Sequence, residues 1–197
     1  FLEPSLTVRG EGHSNLTLTT FDHDPTYGHW VPAGARFGGS TEALEVSGRL
    51  AADFVRYYGG QDTSITNLYF PVSTKYKTEK DIFGFDGGFI RDNTLMGELR
   101  QTGVVLSFTQ RNQWTLSPSW THQITEKLSA MGTYTFYDTR YENGLRLGLA
   151  DYTMHVGSTG LSYQLSERDQ VHVNAVAVRS NASDLRLSST IVGPQFT

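Results

Sequence analysis

The sequence has 197 residues, 16 lysines and arginines against 20 aspartates and glutamates, a formal net charge of -4 and no cysteine. The missing thiols exclude a disulfide framework and thiolate metal sites, and the mildly acidic balance argues against nucleic-acid binding. Only 38% of residues are hydrophobic although 12% are aromatic, and no apolar run approaches the ~18–20 residues a membrane helix needs, whereas a barrel strand hides its lipid face in a period of two.

The chain opens Phe1-Leu2-Glu3-Pro4, a start expected after a removed leader. Leu6, Val8, Gly10, Gly12, Leu16 and Leu18 then alternate with Thr7, Arg9, Glu11, His13 and Asn15. Successive side chains of a strand point to opposite faces, so this spacing predicts a strand with one apolar and one polar face. After a longer connection over Phe21–Gly28, the stretch Ala43–Tyr58 is the clearest case. Its even positions carry Leu44, Val46, Leu50, Ala52 and Phe54, its odd positions Glu45, Ser47, Arg49 and Asp53.

Further on, Leu68, Phe70 and Val72 oppose Asn67, Ser73 and Lys75, and Phe83, Phe85 and Phe89 oppose Asp86. Asp92–Gln101 reads as a loop with a short helical turn. The stretch Val104–Trp120 is apolar on most even positions and polar on every odd position from Ser107. It is longer than the ~9–11 residues that cross a bilayer, so part of it should project beyond. Leu128, Ala130, Tyr134 and Phe136 oppose Ser129, Thr133 and Thr135; Val171, Val173, Ala175 and Ala177 oppose Gln170, His172 and Asn174. Between them the apolar set switches from Tyr152, Met154 and Val156 to Leu161, Tyr163 and Leu165 across Gly157 and Gly160, as a bulge would produce. Pro32, Pro71 and Pro118 fall inside predicted strands, where the lost N–H predicts bulges or strand ends.

Short polar turns are expected at Ser40–Glu42, Lys77–Lys80, Thr125–Lys127 and Ser166–Arg168, alternating with longer connections over Gly59–Thr66, Asp92–Gln101 and Glu142–Leu149 and a short break near Asn181–Asp184. Tight turns at one end and long loops at the other characterise outer-membrane barrels. The expected fold is all-β: one antiparallel up-and-down transmembrane β-barrel domain over 1–197, with about ten long strands, standing alone or as part of a larger or multi-chain barrel. A propeller has a similar period but far shorter strands. Trp30, Tyr57, Tyr58, Trp120, Tyr137, Tyr141, Tyr152 and Tyr163 lie near strand ends and are candidates for the aromatic girdles of a bilayer interface.

Three segments resemble a family of bacterial outer-membrane β-barrel proteins, some of them associated with exopolysaccharide production or export. They are Arg91–Leu95 with Glu98–Val104, Leu116–Lys127, and Leu161–Gln170, with recurring turns of the form Ile124–Thr125–Glu126–Lys127. The likeness covers roughly the second half of the chain and implies architecture, not a reaction. Members are usually longer and commonly end on an aromatic residue, whereas Phe196 here is penultimate. The resemblance therefore implies a piece of a larger barrel or a partner in one.

Arg9, Glu11, Arg36, Glu45, Arg49, Asp53, Lys75, Asp86 and Arg111 are candidates for a charged lumen whose mixed signs predict weak charge selectivity. Asp22, His23 and Asp24, with His29 nearby, are the most metal-like cluster, but adjacent residues rarely converge on one ion and no metal site is expected. His13, His122, His155 and His172 are scattered, and neither a nucleophile elbow nor a phosphate-binding loop is present. No cofactor and no enzymatic activity are expected, a barrel-embedded lipid hydrolase being the weakest reading. The expected role is a passive pore or membrane wall of the bacterial outer membrane, linked to polysaccharide export; the alternative is a structural subunit that completes a multi-chain envelope assembly. The expected partners are the lipid bilayer and other envelope proteins or identical subunits, with no nucleic acid.

Overall fold

A computed structural model describes residues 1–14, 25–59, 62–93, 109–144, 149–166, 169–182 and 185–196. The strands are β1 Leu2–Leu6, β2 Arg9–His13, β3 Thr26–Ser40, β4 Leu44–Tyr58, β5 Thr63–Lys77, β6 Asp81–Asn93, β7 Gln110–Gln123, β8 Leu128–Tyr141, β9 Tyr152–Gln164, β10 Gln170–Ala182 and β11 Leu185–Phe196. From β3 onward each strand pairs antiparallel with the next in a single sheet that begins at β1 and β2, both paired to β3, and ends at β11. Among the described residues β11 does not pair with β1 or β2, so the sheet is open. The expected ten or so long strands are present, counting β1 and β2 as one interrupted strand.

Pro32 lies opposite that interruption. β1 and β2 keep the same register against β3, with Leu6 facing Ala33 and Arg9 facing Trp30. Between them Thr7 N–H still donates to the Pro32 carbonyl at 3.0 Å, but proline has no N–H to return. The bulges expected at prolines do not form. At Pro71 and Pro118 the ladder to the neighbouring strand skips a pair of residues and resumes in the same register. No bulge forms at Gly157–Gly160 either. β9 holds one register against β8 and one against β10 throughout. The apparent switch arises because Tyr152, Met154 and Val156 share one face and Leu161 and Tyr163 the other.

One device recurs at four tight turns, of which the described residues include the whole of three and the two ends of the fourth. Thr41, Thr78, Thr125 and Ser166 each accept, on the side-chain oxygen, the backbone N–H three residues on, at 3.0, 2.9, 3.0 and 3.1 Å. Each also donates its own N–H to the carbonyl of that same residue. A hydroxyl close to its own backbone reverses the chain this way with no need for a left-handed residue.

Residues directly opposed in an antiparallel pair share a face, so the register sorts every strand. One face carries Leu50, Phe54, Trp114 and Leu161, which are 49–56% exposed. The other carries the only buried apolar residues among those described, Ala51, Tyr57 and Ile65. The lower exposure of that second face means the sheet curls toward it. Among the described residues no dry interior forms, and the oily side is the outer, convex one.

Candidate functional site

The concave face holds the chemistry. In β4 the odd residues Glu45, Ser47, Arg49, Ala51 and Asp53 lie on it, and registration carries that parity across the sheet. All nine charged candidates, Arg9, Glu11, Arg36, Glu45, Arg49, Asp53, Lys75, Asp86 and Arg111, stand on this face. Three further charges join them. Glu3 faces Arg36, Lys77 bonds Glu45 at 2.9 Å, and Asp92 grips Arg111 through two bonds of 2.9 and 2.6 Å. Sequence reasoning had assigned Lys77 to a turn and Asp92 to a loop; the parity each shares with its strand was the signal that could have placed them.

The charges are not evenly spread. Arg36 and Arg49 are directly opposed in mid-strand. Asp86 lies between Ser73 and Ser117, and Asp53 between Pro32 and Asn67. A cavity of about 670 Å³ lies against this region, lined in part by Arg36, Arg49, Tyr69, Ser73 and Asp86. Toward the loop end Arg9 sits over the Trp30 ring at 5.2 Å, and the Tyr57 hydroxyl donates to Glu11 at 2.6 Å.

Across β7–β10 the same face changes character. Apart from Arg111 at the loop end, its described residues include no lysine, arginine, aspartate or glutamate. Hydroxyls take their place: Ser117 meets Thr135 at 2.7 Å and Thr133 meets Ser158 at 2.6 Å. A hydroxyl both donates and accepts, so this half offers neutral hydrogen bonding while the β1–β6 half offers charge.

The aromatic candidates divide. Tyr58, Trp120 and Tyr163 stand on the convex apolar face, 39–46% exposed. Trp30, Tyr57, Tyr137, Tyr141 and Tyr152 are on the concave face instead. Nearness to a strand end had suggested them, but parity decides the face. The convex face draws its aromatic row instead from Tyr76, Phe83 and Trp120, adjacent on three strands near the turn end, with the Trp120 N–H donating to Asp81 at 2.9 Å.

The histidines do not converge. His122 and His155 face outward, bonded to Asp81 and Tyr134, while His172 faces inward. The His13 side chain and Asp22, His23 and Asp24 lie outside the described residues, as do the remainder of the loop expected after Asp92 and the residues 104–108 of the expected long strand. Among the described residues no group of three or more histidines or carboxylates is placed to hold a metal.

No family model and no curated protein matches the sequence. Two solved structures resemble the fold. One is the outer-membrane expressed OmpT of Vibrio cholerae, at a TM-score of 0.54 and 12% identity over 86% of this chain and 57% of that one. The other is an OmpT variant of the same organism lacking loop L8, at 0.52 and 12% over 96% of this chain and 62% of that one. The fold is that of an outer-membrane β-barrel. The chain spans under two thirds of either barrel, in keeping with an open sheet. Both are outer-membrane proteins by description, in agreement with the localisation expected from the sequence.

Proposed function

We propose that the chain forms the wall of a passive pore in a bacterial outer membrane, with the concave face lining a water-filled passage. One observation carries this: every charged candidate shares a face, and the opposite face exposes Leu50, Phe54, Trp114 and Leu161. Only hydrocarbon outside and water within stabilise both sides at once. Facing arginines beside carboxylates give a mixed field, so ion selectivity is weak. The test is conductance in a planar bilayer. The expected result is steady ohmic steps with little cation–anion preference; inserted protein without conductance overturns the pore.

A second reading rests on the open sheet. Hydrocarbon does not tolerate a row of unpaired backbone groups, so further strands complete the wall, and in this reading they come from identical subunits or other envelope proteins and not from a longer stretch of the same protein. Particle mass in detergent tests it, since a monomer excludes a multi-chain wall. A link to polysaccharide export is supported by the sequence resemblance and by the hydroxyl-rich β7–β10 half, which suits polyhydroxylated solutes. Block of the conductance by added polysaccharide is its expected signature. No catalytic step belongs to this proposal.

A further inference from the structure

The convex face is not uniformly apolar. The strands that run toward the loop end, β4, β6, β8 and β10, each place an arginine on it within three residues of that end: Arg56, Arg91, Arg140 and Arg179. Their cross-strand partners fix the face. Arg56 opposes His29, Arg91 opposes Leu68, Arg140 opposes Asn112, and Arg179 opposes His155. At the turn end no described arginine faces outward. Among the described residues the outward arginines are therefore confined to one rim, while the turn end carries its cations, Lys80 and Lys127, in the turns themselves.

Protein carboxylates only partly neutralise the outward arginines. Arg140 is paired with Asp138 at 3.1 Å, and Arg91 donates to the Gln110 side-chain oxygen. Arg56 and Arg179 have no carboxylate within ion-pair distance among the described residues. Arg56 instead lies over the Tyr58 ring at 5.2 Å, beside His29, whose own ring is 5.6 Å from the same tyrosine. Phe54 and Leu50 continue the same face below. Along β4 the outward residues run Leu50, Phe54, Arg56 and Tyr58 toward the loop end, so an apolar stretch gives way to a cation flanked by a tyrosine, as hydrocarbon gives way to the interface and its headgroups. Guanidinium groups fit phosphate oxygens in geometry as well as charge.

We propose that Arg56, Arg91, Arg140 and Arg179 form a belt that binds anionic phosphate-bearing lipid headgroups of the leaflet on the loop side. The proposal rests on the membrane reading above but not on conductance. The intact chain is reconstituted into nanodiscs of equal parts phosphatidylglycerol and phosphatidylcholine, and the retained lipid is counted by native mass spectrometry. The wild type is expected to hold phosphatidylglycerol preferentially. The preference should fall about fivefold for each arginine removed in R56Q/R179Q, the size expected for one charge near an anionic surface. R56K/R179K should keep most of it, and R36Q/R49Q, altered on the concave face, should keep all of it.

Absence of a preference in the wild type, or its persistence in R56Q/R179Q, overturns the belt, as does its loss in R36Q/R49Q. If R56Q/R179Q does not fold, the wild type alone decides: its preference must weaken as salt is raised, and a salt-independent preference overturns the belt. A chain that fails to enter the bilayer overturns the membrane reading itself, whereas entry without lipid preference removes the belt alone.

Discussion

The two ends of the sheet are built by opposite means. At the turn end one hydroxyl bond recurs four times, each spanning three residues. At the loop end no two contacts are alike. Tyr57 reaches Glu11, 46 residues away; the Gln110 side chain donates to the Thr66 carbonyl at 3.1 Å across 44 residues; Arg111 and Asp92, 19 apart, form the two-bond pair. Local chemistry closes one end, and register closes the other. Damage at the turn end should stay within one hairpin, while damage at the loop end should loosen several strands.

The widest predicted gap is between two ion pairs of the concave face, one at each end. Asp92→Ala strands a guanidinium whose side chain is only 34% exposed. Leaving one partner of a shielded pair alone is costly, here about 2 kcal/mol after allowance for its partial exposure. Glu45→Ala breaks a turn-end pair exposed by 42% and 54%, where water screens both charges, and should leave the unfolding midpoint almost unchanged. Urea unfolding of chain refolded into vesicles measures both, and equal losses would break the contrast. Next comes Gly28→Ala. A Cβ there meets the Arg56 carbonyl at 2.9 Å and the Tyr57 ring. The ring can shift but the carbonyl cannot, so a loss of about 1.5 kcal/mol is expected, together with faster protease cleavage after β4. Smaller again is Tyr57→Phe, which removes one bond to a carboxylate and should cost about 1 kcal/mol. An unchanged midpoint there would mean that the Glu11 contact contributes nothing to holding β2 against the sheet.

The same contrast explains what the sequence disclosed. Alternation at Leu44–Phe54 gave the strand, its two faces and the sense of the curl, because burial and parity are written in consecutive residues. The turns at Thr41, Thr78, Thr125 and Ser166 were visible for the same reason. The face of Tyr57, Tyr137 or Tyr152 was not visible from closeness to a strand end, since one residue of offset reverses it. The pairing of Asp92 with Arg111 depends on which residues the register brings opposite, and that is set by two turns and a loop together. The arginine belt was hidden for a further reason. Arg56, Arg91, Arg140 and Arg179 lie in separate strands, and only the shared direction of those strands brings them to one rim.

The smallest effect is the one that best tests locality. Thr78→Val removes the oxygen that receives the Asp81 N–H at 2.9 Å while leaving the backbone bond from Thr78 N–H to the Asp81 carbonyl. The turn is exposed, so water replaces the lost acceptor and the cost should be only about 0.5 kcal/mol. Thr41→Val and Thr125→Val remove the equivalent bond from other hairpins. Sites without shared partners add, so the triple variant should lose about 1.5 kcal/mol with no change in the slope against urea. A loss well beyond that sum would show that the turns act together, and the turn end would then be as cooperative as the loop end.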